Sequence, residues 1–183
     1  MKKCLVIVWV GCLFSTGAFS QSSWKFRSAE YVGLLNGQAG NYGQFGTING
    51  ASKRSWFLGM GVGMDYYRFR SLPLFLSVTK ELMPGKNGFF VSLDAGVNFP
   101  IYHRPDGYYD NSFSSSRFLP GLYWSTGLGY KIKLPADRNK DQALFLSVGY
   151  SYKELKEDAK TYPAPTRYDY RNRQWSFKIG LIL

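Results

Sequence analysis

The chain has 183 residues, of which 18% are aromatic, and a formal net charge of +11. Its only cysteines, Cys4 and Cys12, stand close to the N-terminus. One domain fits this length, and a disulfide-built scaffold is excluded. Nucleic acid is set aside as a partner, because the basic residues are scattered among aromatic segments and do not cluster on a helix.

The chain opens with Lys2 and Lys3, an apolar run over 4–14 and small residues over 15–20. This order is that of a secretory signal peptide, with cleavage after Ser20 in AFS|Q. The apolar run has about 11 residues, against the roughly 20 a spanning helix needs. Lipoprotein processing at Cys12 is disfavoured by the preceding Trp9-Val10-Gly11. The expected domains are therefore a leader over 1–20 and a mature domain over 21–183 without thiols or a cysteine metal site. Losing Lys2 and Lys3 leaves 21 basic against 12 acidic residues, a formal charge of +9. For an exported chain, anionic lipid head groups are the natural counter-charge.

The mature chain then alternates. Segment 24–30 is mixed and reads as periplasmic; 31–37 (YVGLLNG) reads as a first strand and Gly40-Asn41 as a turn. Segment 42–51 is a second strand with blurred alternation, and 52–55 a short basic turn. Segment 56–68 (WFLGMGVGMDYYR) is the clearest. Trp56, Leu58, Met60, Val62, Met64 and Tyr66 form one row; Phe57, Gly59, Gly61, Gly63, Asp65 and Tyr67 form the other. Only a period of 2 keeps these sets apart. Lipid on one side and a crowded interior on the other explain the contrast, with the glycines making room for larger inward side chains.

Further strands are expected over 72–82, 89–101, 122–134, 143–152 and 175–183, with compact turns over 84–88 and 135–141. Two polar stretches, 103–117 and 154–173, read as long loops. With eight strands and a periplasmic N-terminus, the short turns at Ser52, Pro84 and Pro135 fall inside and both long loops fall outside, as in bacterial outer-membrane barrels. Trp56 to Tyr66 is ten steps of about 3.4 Å, which at a tilt of about 40° spans about 25 Å, the separation of two aromatic girdles. Tyr66, Tyr67, Tyr102, Tyr152 and Trp175 are assigned to the outer girdle, Trp56 and Phe89 to the inner. The fold class that follows is a closed antiparallel transmembrane β-barrel of about eight strands in an up-and-down meander.

The segments AFSQ, GLLNG, TING, GMGVGMDYYRFRSLPLF, DAGVNFP, GLGYKIK, SVGYSYK and SFKIGLIL resemble the small outer-membrane β-barrel proteins of Gram-negative bacteria, especially those common in the Bacteroidetes. The resemblance covers nearly the whole mature chain. It implies outer-membrane localisation and insertion by the assembly machinery that reads the last strand. Such barrels often end in phenylalanine; this chain ends in Leu183.

The expected chemistry is structural. Asp65, Glu81 and Asp94 share the inward rows with Lys131, Lys153 and Lys178, and an eight-stranded barrel is narrow enough for these to form an ion-paired plug. A narrow polar path or ligand pocket is the functional alternative. His103 with the serines of 112–116 is the only arrangement suggesting a lipid-modifying hydrolase, and no spacing ties them into a triad. His103, Asp106 and Asp110 are ordinary turn residues and a poor metal set. No cofactor motif is present, and no catalytic, cofactor or metal residue is assigned. The arginines 104, 117, 167, 171 and 173 suit lipopolysaccharide phosphates, and the Tyr-, Arg- and Asp-rich loops suit an extracellular ligand. A structural or surface-interaction role is the first reading, transport of a small or apolar molecule the second, and a lipid A-modifying enzyme the third.

Overall fold

The computed structural model describes residues 24–83, 87–101, 115–135, 142–160 and 166–183. Nine strands form: β1 (Lys25–Gly37), β2 (Gly40–Lys53), β3 (Trp56–Asp65), β4 (Ser71–Glu81), β5 (Gly88–Pro100), β6 (Ser115–Leu119), β7 (Gly121–Lys133), β8 (Ala143–Lys160) and β9 (Thr166–Ile182). Every pairing is antiparallel, and β9 pairs with both β8 and β1, so the sheet closes on itself. Among the described residues there is no helix.

Eight positions make up the barrel, because β6 and β7 occupy the same place beside β8. Leu119 pairs with Lys156, and Tyr123 with Lys153. Three residues on one side therefore face two on the other, which is a bulge, and Pro120, with no backbone donor, stands at it. Stepping from partner to partner round the barrel, from Lys25 through Ser52, Phe57, Thr79, Ser92, Gly127, Gly149 and Ser176, returns to β1 at Leu35, ten residues along. For eight strands that stagger tilts each one by about 40°.

Over most of the wall the outward face is apolar and exposed, and the inward face small, polar or aromatic and buried. Four of the inward aromatics follow a simple rule. Tyr31 is paired with Gly46, Phe75 with Gly61, Phe90 with Gly129 and Phe145 with Gly180. A Cβ at Gly61 or Gly129 would run into the ring of Phe75 or Phe90. Each large ring thus lies over a partner with no side chain, which fills a narrow lumen without overpacking it. At Gly63 the nearest atom to such a Cβ is the Tyr31 hydroxyl, 3.0 Å away, so the expected clearance holds.

Several boundaries differ from expectation. The strand at 42–51 exists and is longer. β1 starts at Lys25, making 24–30 part of the wall; its pattern is blurred because Ser28 and Glu30 point outward. The first turn is Gln38-Ala39, and Gly40, at φ +110°, opens β2 where a side chain would be strained. β3 stops at Asp65, and residues 66–70 form a bent connection with Arg68 at φ +61°. The stretch 154–173 is not a loop. β8 and β9 stay paired out to Ala159 and Thr166, beyond the end of β1, where Gly37 faces Gln174. Here the inward face is covered by the connection over 66–70 and not by a continuous apolar row; apart from the buried Leu155 the residues are mostly polar, charged or tyrosine, so apolar periodicity could not reveal them. Arg167 holds Asp158 there, and Glu154 is paired with Arg171, Lys156 with Asp169. Of 103–117, the last three residues belong to β6; the remainder lies outside the described residues, as do the leader and the middles of the turns near 85 and 138.

Candidate functional site: the lumen and its outer cap

The inward rows bring the six expected charges into the lumen and sort them into three tiers. Nearest the end where β1 begins and β9 ends, Glu81 accepts from Arg27 Nη1 at 2.7 Å through Oε1 and from Lys131 Nζ through Oε2. In the middle, Asp94 accepts from Ser77 Oγ at 2.7 Å, and Lys178 Nζ stands 3.6 Å from its other oxygen and 4.9 Å from the centre of the Tyr31 ring. Nearest the far end, Lys153 Nζ lies 2.8 Å from Asp65 Oδ1 and donates to the carbonyl of Tyr67 at 2.9 Å and to Ser71 Oγ at 3.3 Å.

Between the first two tiers lies a small apolar layer of Ala29, Phe90 and Phe145, with Ile48 and Ile182 against it. A cavity of about 70 Å³ sits at this level, reaching Glu81 and Lys131 on one side and Asp94 and Lys178 on the other. The third tier is denser. Lys153, Leu155, Ser71 and Asn98 have no exposed surface, and Leu35, Gln174 and Tyr67 have 2% or less. The charges stay buried because each has an opposite partner on another strand; alone, any of them would be prohibitive to bury.

The connection over 66–70 closes the far end. The Tyr67 amide donates to Asp65 Oδ1 at 2.6 Å, its hydroxyl accepts from the Ala39 amide at 2.9 Å, and its ring meets Tyr42 edge-on at 5.4 Å. Tyr67 is therefore a lumen residue, not the girdle residue expected; it continues the inward row of Phe57 to Asp65. Arg68 then turns back over the Tyr170 ring at 5.0 Å, and Phe69 lies between Phe118 at 5.6 Å and Tyr170 at 5.2 Å. Tyr170 donates its hydroxyl to Glu157 at 2.8 Å, and burial together with this carboxylate raises its pKa above the usual phenol value. The cap thus ties the short connection to the protruding β6–β8–β9 sheet.

On the outward face the aromatics fall into two zones. Near the end where β1 begins, Lys80 covers Trp56 at 4.3 Å, Lys53 approaches Trp24 at 5.5 Å, and Phe89 meets Tyr130 at 5.0 Å. Near the cap, Trp124 stacks on Tyr152 at 5.9 Å, Tyr150 meets Trp175 edge-on at 5.9 Å, and Tyr66 lies beside Phe45 at 6.4 Å. Tyr102 lies outside the described residues.

Several lumen residues escaped the sequence reading, among them Arg27 and, in or beside the segment read as a loop, Leu155, Asn172 and Gln174. Arg27 was hidden in a segment expected to be periplasmic, although it shares parity with Tyr31 and Leu35. Tyr67 was placed on the inward row by parity but assigned to the girdle as well, and only the inward placement holds. His103, Asp106, Asp110 and the serines 112–114 lie outside the described residues, and Ser115 and Ser116 begin β6. Among the described residues no group of three or more His, Cys, Asp or Glu side chains is placed to hold a metal.

No protein-family model matches the chain, and no curated protein matches it. Among solved structures it is similar to the outer membrane protein OprG from Pseudomonas aeruginosa, with 13% identity over 88% of this chain and 95% of that one and a TM-score of 0.49. It is also similar to outer membrane protein AlkL, determined by solid-state NMR in DMPC lipid bilayers, with 14% identity over 92% of each chain and a TM-score of 0.46.

Proposed function

We propose that the protein is an integral outer-membrane barrel with a filled, non-conducting lumen and an outward cap that serves as an interaction surface. The observation that carries this reading is the pairing of an apolar outer wall, bounded by aromatic zones, with an inner wall whose charges are matched strand to strand. A closed barrel leaves no unpaired strand edge in hydrocarbon, which suits it to a bilayer. The end where β1 begins and β9 ends faces the periplasm in this reading, and the cap faces out. Export by the leader over 1–20, insertion by the outer-membrane assembly machinery and the Bacteroidetes assignment are parts of the same proposal.

The cap supports contact with lipopolysaccharide. Arg171 and Arg173 are exposed on β9 beyond the end of β1, where head-group phosphates would lie, and the Tyr- and Arg-rich hairpin offers adaptable contacts to an extracellular ligand. No catalysis is proposed; lipid A unchanged by His103→Ala is the expected outcome.

The cavity of about 70 Å³ favours a second reading, a narrow route for a small or apolar molecule. Planar-bilayer recording separates the two. A filled barrel gives no stable unitary conductance, whereas reproducible steps by the unmodified protein would refute it. Heat-modifiable gel migration and β-sheet circular dichroism of the membrane fraction test the barrel itself; a soluble, unshifted mature chain would sink the membrane assignment.

A further inference from the structure

A cluster of polar residues interrupts the apolar wall on the half of β1 and β2 nearer to where β1 begins; elsewhere among the described residues of the wall Thr126 stands alone. Ser28, Glu30, Thr47 and Asn49 all point outward there, as two directly paired couples, Ser28 with Asn49 and Glu30 with Thr47. Ser28 Oγ and Thr47 Oγ1 both donate to Glu30 Oε1, at 2.9 and 2.8 Å, and Asn49 Nδ2 donates to Thr47 Oγ1 at 3.0 Å. Glu30 Oε2 has no partner among the described residues.

This patch is not a rim. Phe26, 76% exposed, precedes Glu30 by four residues on the same strand, so Glu30 lies about 10 Å further into the apolar zone at this tilt. Val32 and Leu34 follow it on β1, Leu181 is its partner on β9, and Met60 is the partner of Asn49 on β3; all are exposed and apolar. Glu30 and Thr47 edge a shallow groove of about 740 Å³ whose other walls include Val32, Phe45, Val62 and Leu181. An ionisable group facing hydrocarbon is costly, and its remaining lone pairs need a donor from outside the wall. At this depth a lipid head group does not reach, which leaves a second protein surface.

We propose that this surface is a second copy of the chain, docked β1 to β2 about a two-fold axis parallel to the barrel axis. The inference rests on the outer-membrane reading. The symmetry follows from the residues themselves. A two-fold axis passing between β1 and β2 sets β1 of one copy against β2 of the other at equal depth, so an acceptor on β1 must meet donors on β2. Because the strands are tilted, the depth of Glu30 falls between those of Thr47 and Asn49 on the neighbouring strand. Glu30 Oε2 of each copy then accepts from the second amide proton of Asn49 in the other. The groove beside the patch receives the apolar flank of its mate. Two identical interactions form, and no carboxylate faces a carboxylate.

Cross-linking in outer membranes tests this, using the full chain with its leader. Ala51→Cys, outward on β2, reports on the proposed interface; Ala95→Cys, outward on β5 at the opposite wall, is the control. With a short bis-maleimide, Ala51→Cys is expected to give at least tenfold more adduct of twice the chain mass than Ala95→Cys. Adding Glu30→Leu lowers that yield to the control level, while Glu30→Gln, which keeps an acceptor, retains most of it. Equal yields from the two reporters in a heat-modifiable, membrane-inserted barrel overturn the dimer and leave the membrane reading standing. So does an adduct of another mass, which would mean a different partner, or a yield untouched by Glu30→Leu. A chain that never enters the membrane overturns both readings.

Discussion

Lys153→Met removes the ammonium from the densest part of the lumen while roughly keeping side-chain volume, so little of the effect comes from a cavity. The parent lysine has no exposed surface and serves Asp65 Oδ1, the Tyr67 carbonyl and Ser71 Oγ within 3.3 Å. Methionine leaves the Asp65 carboxylate buried with the Tyr67 amide as its backbone donor. Losing one member of a buried pair costs about 3–5 kcal/mol, and that is the expected loss of stability. Asp65→Asn in the same chain removes the stranded charge yet still accepts from the Tyr67 amide, so the double variant regains at least about 2 kcal/mol. Urea unfolding in vesicles, followed by tryptophan fluorescence and by the loss of the compact gel band, measures all four corners of the cycle. A single variant within about 1 kcal/mol of the parent, with no coupling to Asp65→Asn, refutes the reasoning and means that water already serves these charges.

Three further outcomes are expected. Gly61→Val drives a branched side chain into the Phe75 ring and lowers stability by about 1–3 kcal/mol, while Phe75→Leu in the same chain relieves part of that loss; the same unfolding assay reads both. Arg68→Ala frees the cap from Tyr170 at a stability cost of about 1 kcal/mol or less, but amide exchange over 66–70 quickens more than exchange in β3 or β4. Lys178→Met, whose parent ion pair is looser at 3.6 Å and whose carboxylate partner keeps Ser77, costs less than Lys153→Met, and a reversed order would count against the tiered lumen.

The strand periodicity of 56–68 was legible because its two sides meet different surroundings, one lipid-like and one crowded. The same physics made Asp65, Glu81, Asp94, Lys131, Lys153 and Lys178 recognisable as inward residues. It failed where the contrast disappears. In 154–173 the outward face is solvated and the inward face is covered by the cap, with mostly charged and polar residues on both apart from Leu155, so the stretch reads as loop. In 24–30 the outward Ser28 and Glu30 break the apolar row, which concealed both the start of β1 and the inward Arg27. Tyr66 and Tyr67 carry similar side chains; parity separated them, whereas composition put both in the girdle.

Alternation and turn spacing thus determined the strand count, the meander and the face of each charge, because these depend on near neighbours in the chain. Which charges pair was decided only by closure. The stagger of ten residues sets the height at which each strand meets the others, and so places Lys153 of β8 beside Asp65 of β3 and Lys131 of β7 beside Glu81 of β4. The same closure ends β1 below the tips of β8 and β9, freeing them to carry the cap, and gathers Ser28, Glu30, Thr47 and Asn49 into one outward patch. Such meetings depend on register across strands far apart in sequence, which local pattern does not encode.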